Sequence, residues 1–331
     1  MRTFKSAGIV GTGVYLPPRV LTNSDLEKLV ETNDEWIVSR TGIRERRIVS
    51  DDMATSDMAV EAAHMALRNA GIRAEDVDLI IIATVTPDMM FPATACLVQE
   101  KLGAAKAAAF DLSAGCSGFV YGLGVASQFI ETGMYKTVLV IGAECLSRIT
   151  NWKDRGTCIL FGDAAGAAVL QPVEEGTGIL SVEMGADGSG GELLKLAIGG
   201  SRTPITIDNC EDDGRFLYMA GSSVMKFAVR TMGEAALTAL GKAGLHKKDI
   251  NCLIPHQANI RIIDAAAKRL DLPMDKVFVN VHKYGNTSSA SIPVALHEAV
   301  TEGRVQKGDN VVLVGFGAGL TWGASVMNWA I

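Results

Sequence analysis

A cysteine, Cys116, lies in the stretch DLSAGCSGFVYGL, where its side chain could act as a nucleophile. A short apolar segment, residues 107–112, comes before it, and an apolar helical pattern over residues 119–130 follows it. This spacing predicts a strand, a tight turn and a buried helix whose first N–H groups face the thiol. A thiolate there could attack an electrophilic carbonyl carbon and hold an acyl group covalently.

The helix start would favour the thiolate form of Cys116. A free cysteine has a pKa of about 8.5, so about 3% of it is ionised at neutral pH. A helix N-terminus stabilises an anion by up to about 2 kcal/mol, which corresponds to a pKa of about 7. We therefore expect a half-ionised nucleophile, although most lone cysteines are structural.

Two further polar residues are candidates for the same site, one after an apolar segment and one after a glycine. His256 lies in LIPHQAN, directly after an apolar strand, and Asn286 lies in YGNTSS, where we expect it to open a second buried helix. Each alone is more often structural, as a satisfied histidine or as a helix N-cap. Ligands gather at strand ends in open α/β sheets, so we expect both residues to meet Cys116 in one site.

An internal duplication supports this arrangement. ALRNAGI, starting at residue 66, matches ALGKAGL, starting at residue 239, with an offset of 239 − 66 = 173. VLVIG, starting at residue 138, matches VVLVG, starting at residue 311, with the same offset, 311 − 138 = 173. Cys116 and Asn286 are three residues out of step, 286 − 116 = 170, which implies a small indel. The pattern predicts two related halves rich in βαβ units, with their central helices side by side.

The strands of the first half are continuous apolar runs. Residues 79–84, 138–142 and 164–170 have the character of parallel strands covered on both faces. The segment 173–223 lacks this order and contains a glycine-rich loop. We therefore place the boundary inside it, with an N-terminal half, residues 1–174, carrying the cysteine, and a C-terminal half, residues 175–331, carrying the histidine and asparagine.

Composition excludes several classes of function. The chain has 331 residues, 48% of them hydrophobic, and a net charge of −6, which gives no global reason to bind nucleic acid or an anionic membrane. Its six cysteines form no CxxC pair, which argues against structural zinc. The first residues lack an apolar signal core, and the cysteine usage suits a reducing cytoplasm. A GxG at residues 11–13 lacks the third glycine of a dinucleotide site.

Five motifs, in this order, resemble the β-ketoacyl-acyl-carrier-protein synthase III family, the initiating condensing enzymes of dissociated bacterial fatty-acid synthesis. They are DLSAGCSGFVYGL, DRGTCILFGDAAGA, IPHQAN, YGNTSSASIP and GFGAGLTWG. The similarity covers nearly the whole chain, beginning with GIVGTGVYLP and DEWIVSRTGIRERR. The resemblance implies a thiolase-like α/β fold with a layered αβαβα core, a homodimer and a cytoplasmic location.

The resemblance also implies a reaction. A short acyl-CoA primer, with acetyl-CoA expected, would acylate Cys116, and malonyl-ACP would then lose carbon dioxide and attack the acyl group to give 3-oxoacyl-ACP. His256 and Asn286 would hydrogen-bond the malonyl thioester oxygen, and the backbone N–H groups of Cys116 and Gly317 would form the oxyanion hole. The scheme needs no metal and no nonprotein cofactor.

Substrate-binding residues follow from the same resemblance. The expected CoA contacts are Trp36, Arg40, Thr41, Arg155, Gly221 and Asn259. The expected basic patch for the acidic acyl carrier protein is Lys226, Arg230, Arg261, Lys268 and Arg269, although a solvated charged face is the commoner role of such residues. Phe91 would close the acyl pocket across the dimer interface and restrict it to a short primer.

Three alternatives remain open at this point. A related condensing or acyl-transferring enzyme of specialised polyketide metabolism would use the same three residues. A papain-like hydrolase also has a cysteine, a histidine and an asparagine, but the duplication and the local sequence speak against it. A noncatalytic partner subunit of a condensing pair would typically lack the nucleophile, so the presence of Cys116 disfavours it.

Overall fold

The computed structural model describes residues 5–331. Residues 1–4 lie outside that range. They belong to the N-terminal segment in which the sequence shows no apolar signal core. Within it the strands are β1 (Ser6–Tyr15), β2 (Arg19–Thr22), β3 (Glu45–Ile48), β4 (Leu79–Ala83), β5 (Ala108–Leu112), β6 (Val138–Glu144), β7 (Ala164–Val173), β8 (Gly178–Ala186), β9 (Leu194–Leu196), β10 (Leu217–Met219), β11 (Cys252–Pro255), β12 (Asn310–Gly317) and β13 (Thr321–Asn328). The α-helices are α1 (Asn23–Leu26), α2 (Asp34–Thr41), α3 (Thr55–Ala70), α4 (Thr94–Leu102), α5 (Gly118–Glu131), α6 (Arg155–Cys158), α7 (Gly221–Lys242), α8 (Ile260–Arg269), α9 (Val281–Tyr284) and α10 (Ser291–Thr301).

The first large sheet has the strand order β1-β7-β6-β4-β5. Strand β4 pairs in parallel with β5 and β6, as its continuous apolar sequence predicted. The interpretation of residues 164–170 as a strand of the parallel kind was wrong, because β7 runs antiparallel to both β1 and β6. Its residues 164–170 are buried all the same, and burial on both faces produces the same apolar run in either direction.

The second large sheet repeats the first. Its order, β8-β13-β12-β11, matches β1-β7-β6-β4 strand for strand, and a parallel bridge from Leu253 to Val277 stands where β5 pairs in the first sheet. Strand β7 ends at Val173 and β8 begins at Gly178, so the chain passes from one sheet to the other beside the proposed boundary at residue 174. The division into two halves stays a prediction.

The sheets and helices form five layers. Helices α3 and α4 pack on the outer face of the first sheet, and α7 and α8 pack on the outer face of the second. Helices α5 and α10 lie between the sheets, where each contacts strands of both. This is the layered αβαβα arrangement that the resemblance implied, and the mixed α/β fold is confirmed.

The central helix α5 packs closely because three of its residues are glycines. A methyl group on Gly122 would lie 2.7 Å from Val140 in the first sheet, and one on Gly124 would lie 3.1 Å from Val182 in the second. Glycine costs about 1 kcal/mol relative to alanine inside a helix. Contact with both sheets offsets that cost and fixes the start of α5, directly after the turn that contains Cys116.

Candidate active site

The nucleophile turn is a single 3-10 turn, Gly115–Ser117, between β5 and α5. Gly115 has φ +54°, a left-handed conformation that glycine adopts without strain. A side chain at Gly317 would place its Cβ 2.3 Å from the backbone nitrogen of Cys116. The turn at the end of β12 therefore presses against the nucleophile turn, and only glycine fits at that contact.

Cys116 is buried, and this changes its acidity. Burial raises the pKa of its thiol to about 12, and a hydrogen bond with the Ser288 side chain lowers it only in part. The expected value near 7 was wrong for the free protein. That expectation counted the stabilisation from the helix terminus but not the loss of hydration, which penalises the charged form more strongly.

His256 follows the end of β11 and is fully buried. Its backbone N–H donates to Val314 O at 2.7 Å, and its ring Nδ1 lies 2.6 Å from Ser291 Oγ. Burial lowers its pKa to about 3, so the imidazole is neutral at physiological pH. Its Nε2 is buried without a hydrogen-bond partner. A neutral ring with one unpaired nitrogen is ready to bond a substrate atom.

Asn286 does not open a helix, contrary to the expectation from the sequence. It forms a parallel bridge with Phe161 in the first half, and its backbone N–H donates to Leu160 O at 2.8 Å. A 3-10 turn follows, and α10 begins only at Ser291. Its Oδ1 accepts the backbone N–H of Ser288 at 2.9 Å, which leaves the amide NH₂ group to serve as a donor.

The structure brings Cys116, His256 and Asn286 to one cavity of about 260 Å³. Apolar side chains form most of its wall, including Leu146, Phe161, Leu217 and Phe316. The convergence that the strand ends predicted is therefore observed. The catalytic roles of the three residues, and the oxyanion hole at Cys116 and Gly317, stay predictions.

Several polar residues around this cavity escaped the sequence reasoning. Ser291 Oγ lies 2.6 Å from His256 Nδ1, and Ser288, which lines the cavity, donates its hydroxyl to the buried carboxyl of Glu144 at 2.9 Å. The sequence offered one signal, since Glu144 is a lone acid at the end of the apolar run VLVIGAE. A carboxylate at a buried strand end needs partners, but the sequence does not show which ones.

The predicted CoA residues fall into three groups. Gly221 and Asn259 line the same cavity as Cys116. The second group lies around Trp36. The guanidinium groups of Arg40 and Arg155 each lie 4.8 Å from the centre of the Trp36 ring, as expected for side chains that face one another.

Thr41 forms the third group, because it is buried and its hydroxyl is used inside the protein. It donates to Ile37 O at 2.7 Å and accepts the Ile43 N–H at 3.0 Å. None of these observations tests CoA binding, so all six assignments stay predictions.

The predicted carrier-protein residues lie on two adjacent helices. Lys226 and Arg230 are exposed on α7, and the α8 residues are exposed as well, namely Arg261, Lys268 and Arg269. Lys268 pairs with Asp264 at 2.5 Å. Phe91 is 84% exposed and is not part of the cavity wall of this chain. The roles of these residues also stay predictions.

Residues 5–331 contain neither a membrane-crossing helix nor a cluster of metal-ligating side chains. No helix in that part of the chain combines the length and apolar character that a membrane crossing needs. No group of three or more His, Cys, Asp or Glu side chains there is placed to hold a metal ion.

Comparison with known proteins gives consistent matches. Family models match residues 110–188, as 3-oxoacyl-[acyl-carrier-protein] synthase III, and residues 240–329, as the C-terminal part of the same enzyme. A Desulfitobacterium hafniense protein named beta-ketoacyl-[acyl-carrier-protein] synthase III is 60% identical over 98% of both chains. The crystal structure of 3-oxoacyl-[acyl-carrier-protein] synthase III from Aquifex aeolicus has a TM-score of 0.91 and 51% identity, covering 98% of this chain and 100% of that one.

A third match is named for a polyketide pathway. The crystal structure of the priming beta-ketosynthase from the R1128 polyketide pathway has a TM-score of 0.92 and 35% identity, covering 100% of this chain and 98% of that one. Together with the duplicated layers and the Cys, His, Asn cavity, these matches define an acyl-transferring condensing enzyme of the thiolase fold. The chain belongs to the β-ketoacyl-[acyl-carrier-protein] synthase III family. A papain-like hydrolase is excluded by this fold.

Proposed function

We propose that this protein joins a short acyl-CoA primer to malonyl-ACP by a decarboxylating Claisen condensation. The products are 3-oxoacyl-ACP, carbon dioxide and CoA, and the reaction starts a fatty-acid chain. The observation that carries the proposal is the single cavity shared by Cys116, His256 and Asn286, with an unpartnered imidazole nitrogen beside the nucleophile.

In the first half-reaction, the Cys116 sulfur attacks the thioester carbon of the primer and expels CoA. The oxygen of the tetrahedral intermediate becomes negative, and it lies near the backbone N–H groups of Cys116 and Gly317. Close contact between their two turns supports this placement, because it fixes one N–H relative to the other. One such donor is worth roughly 2.7 to 4 kcal/mol in the transition state.

In the second half-reaction, His256 and Asn286 stabilise the enolate that forms as carbon dioxide leaves. Ser291 Oγ accepts the backbone N–H of Gln257 at 3.3 Å and gives its own hydrogen to His256 Nδ1. This assignment leaves the ring hydrogen on Nε2, which becomes a donor into the cavity. The Asn286 amide supplies the second donor, and neither group needs to change its charge.

CoA and the carrier protein would also contact residues outside the cavity. The adenine of CoA stacks at Trp36 and Arg155, while the pantetheine passes Gly221 and Asn259 toward Cys116. The Arg155 guanidinium carbon lies 4.8 Å from the Trp36 ring centre, which supports the pairing of these two side chains around an adenine once they move apart to admit it. The acidic carrier protein docks on the basic residues of α7 and α8, as defined above.

We also propose a cytoplasmic homodimer in which Phe91 closes the partner's acyl pocket. Met89, Met90 and Phe91 are 48%, 77% and 84% exposed in the single chain. Three consecutive exposed apolar side chains are typical of a surface that another protein covers. An aromatic ring at the end of the pocket favours acetyl over longer primers.

The test combines intact-protein mass with a condensation assay. Wild-type protein incubated with acetyl-CoA is expected to gain one acetyl group and, with malonyl-ACP, to release 3-oxoacyl-ACP. Cys116→Ala should lose self-acylation but still decarboxylate malonyl-ACP. His256→Ala and Asn286→Ala should still acylate and should lose about 10² to 10³ in decarboxylation rate. Equal loss of self-acylation in all three variants would contradict the division of roles.

A polyketide-priming role is the second candidate, supported by the match to the R1128 enzyme. The same assay separates the two functions if malonyl-ACP is offered on a fatty-acid carrier protein and on a polyketide carrier protein. Condensation only with the polyketide carrier protein would favour the second candidate. The 60% and 51% identity to two proteins named acyl-carrier-protein synthase III, against 35% to the polyketide enzyme, favours the first.

A further inference from the structure

Glu144 has a fully buried carboxyl group, and two of its partners, Val85 and Ser288, line the cavity. Its Oε2 accepts from Thr84 Oγ1 at 3.2 Å, from Val85 N at 3.1 Å and from Thr86 Oγ1 at 2.7 Å. Both threonine oxygens also accept a backbone N–H, which leaves their own hydrogens for the carboxylate. The carboxylate is therefore fixed to the end of the first sheet, and the proposed condensation gives it no role.

The other oxygen of Glu144 binds the second half of the chain. Oε1 accepts from Ser288 Oγ and from Ser289 Oγ, each at 2.9 Å. The Ser289 hydroxyl also lies 2.7 Å from Ala83 O, so its one hydrogen can serve either acceptor. The carboxylate thus connects the end of β4 with the 3-10 turn Ser288–Ala290, which precedes α10.

Ser288 has an unusual backbone conformation. Its φ is +47°, in the left-handed region that is unfavourable for a residue with a side chain. Such a residue keeps this conformation only where the surrounding contacts hold it. The hydrogen bond from its hydroxyl to the fixed carboxylate of Glu144 is a contact of that kind.

The conformation of Ser288 directs its backbone N–H at Asn286. That N–H donates to Asn286 Oδ1 at 2.9 Å, and the bond fixes the plane of the amide and the direction of its NH₂ group. The main chain of Asn286 is held separately, because its N–H donates to Leu160 O at 2.8 Å and its O accepts from Gly162 N at 3.1 Å. The orientation of the amide therefore depends on Ser288, whereas the position of the main chain does not.

We propose that Glu144 is a positioning residue for the Asn286 amide, and that it acts by holding Ser288 in its left-handed conformation. Glu144 and Ser288 exchange no proton with the substrate in this scheme. They keep the NH₂ group of Asn286 in place as the second donor to the enolate oxygen. The inference rests on the proposed role of Asn286 in decarboxylation.

Two substitutions of Ser288 test the hold. Alanine and glycine both lack the hydroxyl, but only glycine adopts φ +47° without strain. We expect Ser288→Ala to decarboxylate malonyl-ACP at least about tenfold more slowly than wild type, and Ser288→Gly to stay within about threefold. Self-acylation by acetyl-CoA should change by no more than about twofold in either variant, which also shows that the variants fold.

Glu144→Gln tests the other end of the link. Glutamine has a single acceptor oxygen, and we expect it to face Val85, whose backbone N–H cannot turn away, so that the NH₂ group faces Ser288. The Ser288 hydroxyl then loses its acceptor, and decarboxylation should fall at least about tenfold. Adding Ser288→Gly to this variant should restore the rate to within about threefold of wild type, because glycine needs no hold.

The matched control is Ser289→Ala. It removes the other hydroxyl from the same carboxylate oxygen, at a residue whose bonds run to Ala83 and not to Asn286. Its decarboxylation rate should stay within about twofold of wild type. A loss equal to that of Ser288→Ala would mean that the whole cluster is disrupted and would overturn the proposal.

Crystal structures of the Ser288 variants give a readout that needs no substrate. Asn286 Oδ1 should lie within about 3.2 Å of the residue 288 nitrogen in wild type and in Ser288→Gly, but not in Ser288→Ala. The same amide position in all three proteins would overturn the proposal. So would equal decarboxylation rates of the two variants, or a double variant as slow as Glu144→Gln. If the amide moves as expected but Asn286→Ala decarboxylates normally, only the proposed function is contradicted.

Discussion

Gly317 lies where the second half of the molecule touches the nucleophile turn of the first. Its Cβ position is 2.3 Å from Cys116 N and 3.0 Å from the Gly115 carbonyl carbon, and both neighbours are backbone atoms that cannot rotate away. The distance between the two proposed oxyanion donors therefore depends on the absence of one methyl group. At the scale of single residues, this contact is as specific to the site as the three side chains proposed to be catalytic.

Gly317→Ala should separate the two turns. We expect acylation by acetyl-CoA to fall about 10² to 10³-fold, because one oxyanion donor moves away from the substrate oxygen. The rate of intact-protein mass increase would measure this. The matched control is Gly241→Ala in α7, where no atom beyond the chain neighbours and the helix's own backbone lies within 4 Å of the new methyl group. It should acylate normally and gain up to about 1 kcal/mol of helix stability. Normal acylation by Gly317→Ala would contradict the proposed oxyanion hole.

At the scale of elements, α7 and α8 begin at the wall of the cavity and place positive charge on the adjacent surface. Gly221 begins α7 and Asn259 precedes α8, and both line the cavity. Lys226 and Arg230 follow on α7 one helical turn apart. An acidic carrier that binds this face would therefore lie next to two elements that line the cavity.

Reversing the charge of Lys226 and Arg230 together, to glutamate, should weaken carrier-protein binding. We expect the KM for malonyl-ACP to rise about tenfold, most strongly at low salt, while self-acylation by acetyl-CoA stays within about twofold. Steady-state kinetics at two salt concentrations would measure both effects. Lys307→Glu is the control, because this exposed lysine precedes the start of β12, at the opposite end from Gly317. An equal rise in KM for the control would point to net charge and not to a docking face.

The sequence predicted the features that occur twice along the chain, because a repeat can be recognised without knowing the structure. The 173-residue offset between Val138 and Val311 anticipated two sheets of one topology, and motifs at strand ends anticipated that Cys116 and His256 would meet. The direction of β7 was not predictable, because a buried strand has the same apolar pattern in either direction. The thiol acidity, and the contacts of Ser288 and Ser291, depend on burial and on neighbours distant in sequence.

At the scale of the whole molecule, one core joins the two predicted halves. Phe119 and Leu123 of α5 pack in the same buried cluster as Ile292 and Leu296 of α10, together with strands of both sheets. The site lies at this joint, with Cys116 from one half and His256 from the other. A site assembled inside the core has a consequence for stability, because its ionisable groups lose their hydration when the chain folds.

His256 should make the folded state less stable in acid. Its pKa falls from 6.5 to about 3 on folding, so below pH 6.5 the unfolded chain binds a proton that the folded protein does not. Stability from this group is therefore complete above pH 6.5 and is lost as pH falls toward 3, by about 1.4 kcal/mol between pH 7.5 and 5.5. Glu144 and Asp163, whose pKa values burial raises, act in the opposite direction, so the wild-type slope alone is not informative.

The comparison with His256→Gln isolates the contribution of this histidine. Any packing cost of the substitution is independent of pH and cancels when the free energy of unfolding is measured in urea at pH 7.5 and at pH 5.5 for both proteins. We expect the variant to lose about 1.4 kcal/mol less than wild type over that interval, because glutamine cannot take up the proton. Equal losses in the two proteins would show that His256 is hydrated or charged in the folded state. The neutral imidazole donor of the proposed decarboxylation would then have to be abandoned.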